Sequence, residues 1–203
     1  MKQARWALLA LMLVAAVAAH GEKAEVGVTF GAAVSPDAKG PIGCGEAMPC
    51  NIPAGTIGSL AIGPGVSWQA SIAYRLANFR AAALYVQLPL AGSPSRTQPG
   101  FIGNEFSSFF FTPGVQLKLV PNSFMSPFAN IGGGLAHFNN NFGSSGNTGA
   151  FQVGGGVDFR TPVRVLGVRA EARDFITGHP APFAGFTSHL QHIFVGGGVV
   201  VKF

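Results

Sequence analysis

Three observations predict an all-β chain: eight antiparallel strands closing into an up-and-down transmembrane β-barrel behind a cleavable signal peptide. The first is an alternation of apolar with polar or small side chains that recurs from residue 25 to residue 203. A period of two belongs to strands whose two faces meet different solvents. The second is composition: 29 glycines and 18 phenylalanines against 4 methionines, a mean hydropathy of +0.36 and only 10% charged residues. So few charges scarcely cover a soluble surface, and beyond the leader no apolar run is long enough for a spanning helix. The third is the spacing of the connections, which alternate between short and long.

The leader comprises residues 1–18. Lys2 and Arg5 precede an uncharged apolar run from Trp6, which ends in the small-x-small pattern Ala16-Val17-Ala18 before Ala19. That is the layout of a secretory signal, and the run is too short to cross a bilayer as a helix. The remaining domain, 19–203, holds 11 basic and 8 acidic residues. They are scattered, so nucleic-acid binding has no basic patch to use.

The strands follow in order. Strand one, 25–34, sets Val26, Val28, Phe30 and Ala32 against Gly27, Thr29 and Gly31. Strand two has Val66, Trp68, Ala70, Ile72 and Tyr74 opposite Ser67, Gln69, Ser71, Ala73 and Arg75. Strand three, 79–89, sets Leu84, Val86 and Leu88 against Ala83, Tyr85 and Gln87. Strand four, 106–120, sets Phe109, Phe111, Val115, Leu117 and Leu119 against Phe110, Thr112, Gly114, Gln116 and Lys118. Strand five, 127–138, is glycine-rich, and Asn130 marks its polar face. Strand six, 150–160, has Phe151, Val153, Val157 and Phe159 over Gln152, Asp158 and Arg160. Strand seven, 165–176, has Leu166, Val168, Ala170 and Ala172 over Arg169, Glu171 and Arg173. Strand eight, 189–203, has Ile193, Val195, Val199, Val201 and Phe203 opposite His192, Phe194, Val200 and Lys202.

Turns are expected at 76–78, 121–126 and 161–164, and long loops at 35–65, 90–105, 139–149 and 177–188. Short turns on one side and long loops on the other suit a membrane barrel, with both termini on the turn side. The rival is a soluble sandwich or lipocalin-like barrel with its apolar face inward. Large side chains on the apolar faces and small ones opposite favour apolar outward, because an eight-strand interior is narrow. Lipid supplies no hydrogen-bond partners, so a sheet that crosses it must close.

The leader, PFANIGGGLAHF, FQVGGGVDFR, VLGVRAEARDF and the terminal IFVGGGVVVKF together resemble the small outer-membrane β-barrel family of double-membrane bacteria. The resemblance covers the whole mature chain. It implies an eight-stranded barrel in the outer membrane, lipid as a partner, loops outside and both termini periplasmic. It also implies that Phe203, Val201 and Val199 form a C-terminal signal for the barrel-assembly machinery. Roles in the family are diverse, so function does not follow from it.

Gln69, Arg75, Gln116, Lys118, Gln152, Asp158, Arg160, Arg169, Glu171, Arg173 and Lys202 occupy the faces expected inward. Isolated buried charge is costly, so the charges are expected to pair across strands with the amides filling gaps. Such a set serves either as a plug that fixes the barrel or as a gated polar path, and eight strands favour the plug. Cys44 and Cys50 are the only cysteines; in an exported chain one even pair suggests a disulfide. The loop it closes is short, limiting the gain to roughly 2–3 kcal/mol on the chain-entropy model. Glu46 alone lies between them, without a His nearby, and CxxC is absent, so neither a metal nor a redox role is indicated. No cofactor is implied.

Ser188 with His189 or His192, and Asp174 across the strand pair, offer the elements of a lipid-hydrolase triad. A triad requires an orienting third group, and the alternative is an interfacial or lumen histidine. Phe101, Phe106, Phe142, Phe183 and Phe186 fit an aromatic girdle at the headgroups or a gripping surface in the loops, and the run Asn139-Asn140-Asn141 fits a solvated loop. The expectation is a non-enzymatic scaffold presenting four loops to an unknown extracellular partner. A narrow pore for small or apolar solutes is the first alternative, and an envelope lipid-modifying enzyme the second.

Overall fold

The computed structural model describes residues 23–41, 57–97, 105–121, 123–140, 145–178 and 189–203. The leader, Cys44 and Cys50, Phe101, Phe142, Phe183, Phe186 and Ser188 lie outside the described residues. The described strands are β1 (Ala24–Val34), β2 (Ala38–Pro41), β3 (Ile57–Leu60), β4 (Gly65–Asn78), β5 (Ala82–Thr97), β6 (Glu105–Phe111), β7 (Gly114–Leu119), β8 (Met125–Asn140), β9 (Ser145–Arg160), β10 (Leu166–Thr177) and β11 (Leu190–Lys202).

These strands build eight staves. β6 and β7 are one stave broken at Thr112 and Pro113, because proline has no N–H to give the ladder. The Pro113 carbonyl instead accepts from the Gly133 amide at 3.0 Å. The circuit runs β1, β4, β5, β6 with β7, β8, β9, β10 and β11, then returns to β1, and every pairing is antiparallel. Closure removes every edge, as hydrocarbon solvent requires. β2 and β3 form a separate small hairpin in the first long connection. β1 and β11 meet at the seam, where the Phe203 amide donates to the Ala24 carbonyl at 2.8 Å. The start of β1, the end of β11 and the short turns gather at one end, called here the turn end; the other is the loop end.

Strand parity decides the faces. Phe30 and Leu135 on the perimeter are 64% and 62% exposed, whereas Phe110, Lys118 and Gln116 inside are 0% exposed. The apolar band therefore faces out and the charges face in. The triple glycines of β9 show how sequence makes room for this filling. A Cβ on inward Gly156 would overlap the Ala170 carbonyl oxygen and meet the Phe128 ring at 2.8 Å, and one on Gly154 would meet the Ala172 carbonyl oxygen at 2.6 Å and the Arg173 stem at 2.8 Å. On outward Gly133 the nearest atom would be 3.9 Å away. Inner glycines leave space for large neighbours across the lumen.

Three expectations are corrected. β8 runs to Asn140 and β9 begins at Ser145, so both reach into the loop expected at 139–149. Asn139 and Asn140 are therefore strand residues, because the alternation persists through inward Phe138 and outward His137. β5 likewise runs on to Thr97, past a register irregularity between Ser93 and Arg96. Phe106 belongs to β6, is 3% exposed and lines the lumen rather than a headgroup girdle. In the turn after β7, Val120 adopts φ 39°, a left-handed backbone that β-branched residues disfavour.

Candidate functional site: the filled lumen

The inward side chains form layers. Nearest the turn end, Arg75, Arg160 and Lys202 gather with Arg164, Tyr85 and Phe203 around a small hollow. The expectation that these cations pair across strands is corrected here. Arg160 is exposed, Arg75 and Lys202 are half-buried, and no carboxylate of the described residues forms an ion pair with any of them. They stand at strand ends, where water reaches them.

The next layer is a closed charge lattice on four staves. Lys118 bridges Glu25 and Asp158, the latter at 2.7 Å. Arg169 grips Asp158 with two bonds, Nε to Oδ1 at 2.7 Å and Nη2 to Oδ2 at 2.9 Å, and reaches Glu25 at 3.5 Å. The planar fork matches the carboxylate, and its outer face lies 4.7 Å from the Phe128 ring centre. Above it, Arg173 donates to Glu171 at 3.0 Å and to Gln152 at 3.3 Å. Thr29 and Thr112 donate to Glu171 and Gln152 at 2.9 Å each. Three acids and three bases therefore neutralise one another inside the barrel.

Gln152 joins this network, but Gln116 does not. Both its side-chain polar atoms lack a hydrogen-bond partner, as do those of Gln87 and Asn130 and the Oε1 of Gln69. Gln69 and Gln116 thus fill the interior as buried amides, and Gln116 does so without a bond to the charges. Instead the amides form a belt of their own on β4, β5, β7 and β8.

Toward the loop end the filling becomes aromatic. Phe110 lies 4.5 Å from Phe175, 5.6 Å from Phe194 and 5.8 Å from Phe138, centre to centre. His192 rests against Phe138 at 5.4 Å. Over this layer Arg96 donates to the Gly63 carbonyl and to Ser35 Oγ, each at 3.0 Å. Ser35 Oγ lies 3.0 Å from His192 Nδ1. Arg96 Nη1 also lies 3.3 Å from Nδ1; because Arg96 can only donate, Nδ1 is an acceptor, and the imidazole carries its hydrogen on Nε2. Arg96 also stacks 5.7 Å from the Phe106 centroid.

This arrangement removes His192 from the hydrolase elements; Ser188, the hydroxyl expected beside His189, lies outside the described residues. His192 faces inward and pairs with Ser35. Asp174 has the opposite parity, lying beside Val153 and Ile193 on the perimeter. Asp174 and His192 therefore share no face and form no triad. The residues that sequence reading missed are Glu25, Arg96, Ser35, Phe138 and Phe175. The last two carry a legible signal, being in phase with Asn130 and Arg173. Arg96 does not, because the shift after Ser93 breaks the phase.

No family model and no curated protein matches the sequence. Solved structures do match. Neisserial surface protein A is 15% identical, with a TM-score of 0.56 over 89% of this chain and 97% of that one. The outer membrane protein OprG from Pseudomonas aeruginosa is 10% identical, with a TM-score of 0.54 over 90% of this chain and 96% of that one. At these identities the likeness is one of fold. The chain has the fold of the small eight-stranded outer-membrane β-barrel proteins.

Proposed function

We propose that this protein is an outer-membrane scaffold with a sealed lumen, presenting its loop end outside the cell and its turn end to the periplasm. In this reading the loops engage an extracellular partner, and β11, with Phe203, Val201 and Val199 outward, is the strand read by the barrel-assembly machinery. The observation that carries the proposal is the double seal. A neutral lattice of Glu25, Asp158, Glu171, Lys118, Arg169 and Arg173 lies beneath a packed layer of four phenylalanines. A barrel of eight staves has no spare width once its interior carries such side chains.

Purified full-length protein in a planar bilayer tests this directly. The expected record is free of stable conductance steps in molar salt, and reconstituted vesicles exclude small sugars. Large, long-lived steps in the unmodified protein would overturn the scaffold reading in favour of the pore.

A further inference from the structure

We propose that the hollow at the turn end binds a phosphate-type oxyanion. Its volume is about 170 Å³, roughly five water volumes, enough for one such group with part of its hydration. Four cations from four chain segments surround it: Arg75 at the end of β4, Arg160 at the end of β9, Arg164 in the following turn and Lys202 at the end of β11. Glu25, in the same wall, is engaged by Lys118 and Arg169. None of the four cations has an ion-pair partner among the described carboxylates.

Like charges gathered on one concave surface repel one another, and a bound anion relieves that repulsion. Charges placed merely to solvate the rim would spread around it, whereas these converge on one hollow. Three guanidinium forks and an ammonium suit a tetrahedral oxyanion with several acceptor oxygens better than a halide. The lining joins inward-facing Arg75, Tyr85 and Lys202 to exposed Arg160, Arg164 and Val165, so the hollow lies at the mouth of the barrel. A soluble phosphate-bearing molecule and a phospholipid headgroup share this chemistry.

The test is titration of the detergent-solubilised full chain with inorganic phosphate at constant ionic strength, followed by calorimetry and by the thermal unfolding midpoint. Saturable binding that chloride does not reproduce is expected, weakened about tenfold by Arg160→Gln and again by Arg164→Gln, both at exposed positions. Arg80→Gln, at a neighbouring exposed cation outside this hollow, should leave it unchanged. A parallel arm compares phosphatidylglycerol with phosphatidylcholine nanodiscs. Stabilisation by the anionic lipid that is lost in Arg160→Gln and competed by phosphate identifies the headgroup as the source; phosphate binding without it identifies a soluble ligand. Phosphate binding no better than chloride, or indifferent to both arginine substitutions, overturns the proposal.

Discussion

Replacing Arg169 by methionine tests whether the lumen is a low-dielectric interior or a wet channel. Arg169 is 2% exposed, makes two bonds to Asp158 and approaches Glu25. Methionine preserves much of the stem against Phe128 but removes the charge. Lys118 would then face Glu25 and Asp158 alone, because Arg173 is committed to Glu171. One buried carboxylate is left uncompensated, so the expected loss is about 3–5 kcal/mol. Adding Asp158→Leu removes the orphaned charge, and the double variant should regain most of that loss. The assay is urea unfolding from phosphatidylcholine vesicles, followed through Trp68 on the perimeter. A loss below about 1 kcal/mol for Arg169→Met, as for a solvent-exposed pair, would refute a sealed and dry lattice.

Gly156→Ala should cost about 3 kcal/mol or more, because its Cβ would overlap the Ala170 backbone carbonyl as well as press on the Phe128 ring, whereas Gly133→Ala, with open space around it, should stay within about 0.5 kcal/mol; the same unfolding assay compares them. Val120→Asn should stabilise the barrel by about 1 kcal/mol, since asparagine tolerates the φ of 39° that valine resists. Asp174→Ala should be neutral or stabilising by up to about 1 kcal/mol, because a carboxylate among Val153 and Ile193 on the perimeter meets lipid.

The fold was legible because its signal is redundant. Every stave repeats the two-residue period, so a misread position on one strand is outvoted by its neighbours. Facing was read from the same period, even in the glycine triples of β8 and β9, where Asn130 and Gln152 fix the phase. Strand ends were harder to read. Pro94 and the register shift after Ser93 interrupt the alternation, and this hid Arg96 in what looked like a loop. Asn139 and Asn140 have turn-like chemistry, but the ladder from His137 opposite Asn147 carries them into β8. The expectation that inner faces carry mainly small residues held only in part. Phe110, Phe138, Phe175 and Phe194 enter the lumen, and the glycines that admit bulky neighbours lie on adjacent strands, out of reach of a one-strand reading.

Parity gives a residue's face but not its depth, and depth governs what a charge in such a barrel does. Lys118, Arg169 and Arg173 lie along the sealed stretch, where an unpaired cation would be prohibitive, and each has a carboxylate. Arg75, Arg160 and Lys202 share their inward phase but sit at strand ends. Water there removes the demand for a partner, and none of the described carboxylates supplies one. Arg96, buried at the loop end, takes a third course and donates to the neutral oxygens of Gly63 and Ser35. Pairing is thus enforced where acids and bases meet inside the lattice. The basic surplus is displaced toward the turn end, where solvent or a soluble anion can meet it. The inward cations of one alternating pattern therefore divide by burial: the fully buried ones, Arg96 apart, are held in the lattice, and the half-buried or exposed ones at the turn end remain available for binding.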